Sequence, residues 1–164
     1  MTRVSLFIKI FLFALFISIV VRYMAVQPYV VSDNAMAPEY QKGDVLLVNR
    51  FGGFERDSII IFRDEKTSRR ILRRIVALPE ERISVNDGIV SITDKDGYRA
   101  IKELPLFGTV ILTLPGVGKI DAHEVFVMPD HATQEFYGLI DQRHMIGTPF
   151  MRIYPFSRVT YFNN

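Results

Sequence analysis

The sequence contains no cysteine. That excludes a disulfide framework, a thiolate zinc site and a cysteine nucleophile. It also has no acidic residue before residue 27, although Arg3, Lys9 and Arg22 lie there. Setting those three aside leaves 17 of the 20 basic side chains against 18 acidic ones. A remainder so balanced does not bind nucleic acid by bulk electrostatics. There is no internal repeat, no low-complexity tract and no long linker. After residue 30 no stretch sustains a 3.6-residue apolar period, so βαβ units are not expected. What is present is 164 residues, 49% hydrophobic and 23% charged, which excludes disorder as the main state. That length allows one compact domain with one appended segment.

The appended segment is residues 4–21, VSLFIKIFLFALFISIVV. It is close to the minimum of about 17 residues for a membrane helix. Lys9 is near enough to the start for its ammonium to snorkel to the headgroups, and Arg22 with Tyr23 makes an interfacial edge at the other end. A cleavable signal peptide fits less well, because Arg22-Tyr23-Met24 offers no small-x-small exit. A buried core helix would show a polar stripe, and residues 10–21 show none. Arg3, Lys9 and the α-amino group favour an inside N-terminus. The expectation is a cytoplasmic tip and single-pass anchor over 1–26, touching lipid through 4–26. Residues 27–164 would then form a domain on the extracytoplasmic side of the cell membrane.

From residue 45 the chain breaks into short β-branched runs: Val45–Val48, Ile59–Phe62, Ile71–Val76, Ile83–Val85, Ile89–Ile92, Val110–Leu112, Val125–Met128 and Val159–Phe162. Asn86-Asp87-Gly88 between two of them is a strong hairpin signal. Gly43-Asp44, Gly52-Gly53, Asp96-Gly97 and Pro115-Gly116 punctuate the others. The pattern predicts a mainly β, indeed all-β, domain behind the helix.

A series of landmarks then gains meaning from its order. Gln27-Pro28-Tyr29-Val30-Val31 leads to Ser32-Asp33-Asn34-Ala35-Met36-Ala37-Pro38, then to Lys42-Gly43-Asp44 and Val48-Asn49-Arg50. Asp57-Ser58 precedes Ile59–Phe62, and Arg73-Arg74 opens a run ending Leu78-Pro79. Phe136–Ile140, Met145-Ile146-Gly147, Arg152 and Tyr154-Pro155 close the series. In order and spacing this resembles the type I signal peptidases, membrane-bound serine proteases that remove signal peptides from exported proteins. The resemblance covers nearly the whole chain and implies that family's β fold.

It also implies a Ser–Lys dyad, in which a hydroxyl attacks the scissile carbonyl and a lysine takes its proton. The serine belongs immediately before Met-x-Pro, and the residue there is Ala35. The lysine's place is taken by Arg73. A guanidinium holds its proton to above about pH 12, so it is no base near neutrality. A hydroxyl two residues before the nucleophile, which helps hold the oxyanion in some members, is replaced by Asp33, whose carboxylate would repel a developing oxyanion. The final motif, Pro129 to Gly138, is shorter than the family's Gly-Asp-Asn-Arg stretch and lacks the serine and aspartate that orient the lysine. An engineered Ser→Ala would account for Ala35 alone. The chain thus resembles a signal peptidase that has stopped cutting.

Replacement groups are weak on sequence. Ser32 and Ser58 sit where serine favours turns and strand edges. His123, His131 and His144 are too irregularly spaced for a metal site, so neither metal nor cofactor is expected. His131 beside Asp130 is the least implausible improvised base. Arg69, Arg70, Arg73 and Arg74 read as one solvated strand face with acidic neighbours, or as a contact for lipid headgroups.

In the resembled family the substrate lies as an added strand between the stretch before the nucleophile and the strand bearing the lysine, here 27–33 and 70–73. Such β-augmentation needs no nucleophile. The expected groove comprises Asp33, Ala35, Met36, Pro38 and Arg73, with Met36 and Pro38 shaping the wall. Asp33 and Arg73 are expected to face each other, a partly exposed pair contributing about 1 kcal/mol or less. Signal-peptidase-like proteins without the dyad are similar to those of pilus gene clusters in Gram-positive bacteria, which act with a sortase. That resemblance implies an accessory or chaperone role in pilus assembly, with a pilin or exported-protein segment as partner and a sortase as a further one. The alternatives are a working signal peptidase using an unfamiliar constellation, and a scaffold with a decayed groove.

Overall fold

The computed structural model describes residues 2–86, 89–97, 99–105, 118–131 and 138–162, and in the N-terminal helix the side chains of 7–19. That helix, α1 (Thr2–Ala25), has no acid in its first turn. Phe7, Phe11, Phe13 and Phe16 are all exposed on it, so no face is reserved for a protein core. Among the described residues no helix is long and apolar enough to cross a membrane.

Strands follow: β1 (Val26–Val30), β2 (Val45–Asn49), β3 (Ile59–Arg63), β4 (Arg70–Ala77), β5 (Arg82–Asn86), β6 (Ile89–Thr93), β7 (Ala100–Pro105), β8 (Gly118–Lys119), β9 (Glu124–Met128), β10 (Leu139–Asp141), β11 (Met145–Tyr154) and β12 (Thr160–Tyr161). They form two sheets. The larger runs β1-β2-β11-β3-β4-β9-β10, with β12 added to β11, and the smaller runs β7-β6-β5-β8. The mainly β expectation holds. Strand β3 is buried through Ile59–Phe62, as a continuous apolar run in the middle of a sheet should be. Asn86 pairs with Ile89 across the β5–β6 hairpin, the register that a two-residue turn imposes. The turn residues Asp87 and Gly88, and the expected strand at 110–112, lie outside the described residues.

Strand β11 was not expected. Gly147 and Pro149 interrupt its apolar pattern, yet it joins the two halves of the large sheet. Met145 and Gly147 pair with Phe62 and Ile61 of β3, while Thr148–Tyr154 pairs with β2. Irregularities beside Gly147, Pro149 and Arg152 supply the bends that absorb those residues. A Cβ on Gly147 would collide with the Asn49 carbonyl, so only glycine permits this approach of β11 to β2. The expected run 159–162 contracts to β12.

One apolar cluster underlies the region of interest. Tyr29 of β1, Leu46 and Val48 of β2, Ile59 and Ile61 of β3 and Leu72 of β4 pack with Met36 and Tyr40 from the loop between β1 and β2. Each large side chain so buried is worth about 1.5–3 kcal/mol. The loop is therefore held from beneath.

Candidate functional site

The site is built by the 32–44 loop and β4. The loop's base is closed by strand-like bonds: the Val31 N–H donates to the Asp44 carbonyl at 2.9 Å and the Gly43 N–H to the Val31 carbonyl at 3.0 Å. Within it the Ala35 N–H donates to Asp33 Oδ1 at 2.9 Å, and the Ala35 carbonyl accepts from the His131 N–H at 3.0 Å. Across from it, Arg73 Nη1 reaches Asp33 Oδ1 at 3.3 Å and Oδ2 at 3.2 Å, with Nη2 also 3.3 Å from Oδ2. The same Nη1 donates to the Leu72 carbonyl at 2.6 Å. Asp33 and Arg73 do face each other.

Their burial is unequal, so the expected partly exposed pair is exposed only at its carboxylate. The Arg73 side chain is 0% exposed, against 29% for Asp33. The burial of Arg73 corrects the reading of four arginines on one solvated face. Arg69 and Arg70 are exposed, the latter with its guanidinium 5.7 Å from the Tyr29 ring centre. Arg74 is clamped by Asp130 at 2.8 and 2.7 Å and by Glu39 at 3.2 Å. Chiefly the Asp130 bond holds its guanidinium pKa above the ordinary value. Of the five expected groove residues, Ala35, Met36 and Arg73 are buried, Asp33 is half-buried and Pro38 is exposed.

The strand edges around this pair are unlike one another. Backbone groups alternate between the two edges of a strand. Because Val31 bonds toward β2, so do Tyr29 and Gln27, and the backbone of Val26, Pro28 and Val30 points the other way. No strand pairs with that outer edge among the described residues. Proline is tolerated there because no N–H is needed. On β4, Ile75 bonds toward β3 through both its N–H and its carbonyl, so Arg70 and Leu72 point outward, beyond the stretch that β9 covers. Both outward carbonyls are capped by side chains. Tyr29 Oη donates to the Arg70 carbonyl at 3.2 Å, and Arg73 caps Leu72. Burial pushes the Tyr29 phenol above its ordinary value, which keeps it a donor. Sequence inspection missed both caps, since a carbonyl's partner leaves no mark in a motif.

Chemically the centre is closed three ways. Position 35 has no nucleophile, position 73 has no free lone pair, and the amide at 35, a donor that an acyl-transfer oxyanion would need, is taken by Asp33. Other groups do not replace them. The Ser58 hydroxyl accepts from the Glu55 N–H, Ser32 is exposed, and Asp130 is engaged by Arg74 rather than by His131. His144 pairs with Glu65 at 3.1 Å, and no cluster suited to a metal occurs among the described residues. Of the final motif, residues 132–137 lie outside the described residues.

The sequence model of the family described as "Signal peptidase, peptidase S26" matches residues 4–154. The chain belongs to the signal peptidase family. It is similar to Signal peptidase I U of Bacillus subtilis (strain 168), 26% identical over 152 residues covering 85% of this chain and 81% of that one. It is also similar to Inactive signal peptidase IA of Staphylococcus aureus (strain MRSA252), 25% identical over 176 residues covering 98% and 97%. This signal-peptidase-like chain is a degenerate, non-catalytic relative. In its structure an Asp–Arg pair joins Arg73 to the loop that carries Ala35.

A second buried network missed on sequence supports the site. Asp44, 2% exposed, takes Arg152 at 3.0 Å and Arg158 at 3.3 Å. Arg152 also donates to the Glu39 and Arg158 carbonyls at 2.6 and 2.8 Å. Lys42-Gly43-Asp44 and Arg152 were visible as landmarks, and an arginine set between Met151 and Ile153 was the available signal.

Proposed function

We propose that this protein captures an extended peptide segment on the outer edge of β1 and serves as an accessory or chaperone factor in surface pilus assembly. The observation that carries the reading is a strand edge that no described strand pairs, running into a disarmed catalytic centre. An added strand there would receive the Val30 N–H and donate to the Pro28 and Val30 carbonyls, the usual currency of β-augmentation. Because Tyr29 and Arg73 already cap β4, the capture is one-sided, and Asp33 with Pro38 meets the peptide at the end of the edge. The likeness to relatives named inactive favours a role without cleavage. The pilin, and a sortase as further partner, come from the resemblance to pilus-cluster proteins.

The same reading makes α1 a single-pass anchor with a cytoplasmic N-terminus. Its described side chains, 7–19, span about 20 Å of helix and are exposed throughout, which suits the hydrocarbon that would surround them.

The test is Val30→Pro, which removes the edge's N–H at a position exposed to solvent. A folded, membrane-localised Val30→Pro protein should lose binding of a pilin-derived extended peptide and fail to support pilus polymers. Normal peptide binding and pili of normal length would move the function away from this edge.

A further inference from the structure

Three residues before one half-buried phenylalanine lies its opposite. Phe54 packs against the core near Leu78 and Ile140, whereas Phe51 is 78% exposed. The turn that carries Phe51 is tied to its neighbours at two points. Its N–H donates to Asn49 Oδ1 at 3.1 Å, and a Cβ on Gly52 would collide with the Thr148 hydroxyl. Exposure is therefore imposed by the turn rather than left by a loose loop. Its place in the fold is telling. Strand β1 follows α1 with no linker, and its first residue, Val26, pairs with Asn49. Paired Cα atoms lie about 5 Å apart, and two further residues add at most about 7 Å. Phe51 thus lies within about 12 Å of Val26, the residue that follows α1, close to where an interfacial layer about 5–8 Å deep would flank the bilayer. Arg50, beside it, is exposed as well.

We infer that the turn at 49–53 is a second membrane contact, with Phe51 entering the headgroup layer and Arg50 meeting lipid phosphate. The inference rests on α1 being an anchor. With its base pinned at the surface, the open edge of β1 starts at the bilayer and runs away from it, which orients the capture of a segment that emerges from the membrane.

The chain has no tryptophan, so a single introduced one reports alone. Full-length Phe51→Trp and Phe16→Trp proteins are reconstituted in phosphatidylcholine–phosphatidylglycerol vesicles whose acyl chains are brominated either near the carbonyl or near the methyl end. The inference predicts blue-shifted Phe51→Trp emission, quenched by the shallow bromines and little by the deep ones, with Phe16→Trp quenched by the deep ones. Water-like, unquenched Phe51→Trp emission beside a quenched Phe16→Trp overturns the inference, leaves the anchor standing, and assigns Phe51 to solvent or a protein partner. An unquenched Phe16→Trp overturns the anchor and the inference with it.

Discussion

Arg73 and Arg152 are both buried against an aspartate, but the surroundings of the two pairs differ. Asp44 is as deeply enclosed as Arg152 and is shared with Arg158, while the arginine's other donors go to the carbonyls that shape the 32–44 loop and the turn at 156–158. Gln41, Arg152 and Arg158 all donate to the Asp44 carboxylate. At Arg73 the arginine is enclosed and its aspartate reaches solvent, and the pair lies beside Ala35, whose side chain offers no nucleophile. The first network is scaffold for a loop. The second is a substitution of chemistry by an ion pair, and it leaves the fold around it in place.

The comparison can be broken by removing partners in turn. Arg152→Ala should be the most damaging, costing about 3–5 kcal/mol because it leaves Asp44 enclosed without its main cation. Arg152→Met in the same denaturation series should cost nearly as much, and a mild effect would show that packing rather than charge carries the site. Asp33→Ala should cost about 2 kcal/mol, less than a fully enclosed pair would, since Arg73 keeps the Leu72 carbonyl. Adding Arg73→Met to it should recover part of that loss, because no cation is then left buried, and an additive double-mutant cycle would contradict the coupling. Tyr29→Phe should cost about 1 kcal/mol, one hydrogen bond to a carbonyl. Because the phenol's pKa is raised in the folded state, its contribution is complete below about pH 10 and is lost as pH rises through the folded value. Tyr29→Phe should remove that alkaline component from the stability profile.

Sequence reading reached far where local chemistry decides. The pairing of β5 with β6 and the apolar run of β3 were legible, because turn residues and periodicity are local, and the facing of Asp33 and Arg73 followed from the order of the motifs. Strands β1 and β11 were not, since Pro28, Gly147 and Pro149 look like breakers until an open edge or a bend accommodates them. The burial of Arg73 was hidden for a related reason. Four arginines in six residues look like a solvated face, and only the fold shows one of them turned toward Asp33.

The claim that the Asp–Arg pair has displaced the chemistry is tested most directly by mass spectrometry of a peptide that an active signal peptidase cleaves, incubated with the native full-length chain and with Ala35→Ser. The account predicts no product from either, because the serine would meet a guanidinium that accepts no proton and an amide already bound to Asp33. Turnover by Ala35→Ser comparable with an active relative would contradict it, and cleavage by the native chain would contradict it more simply still.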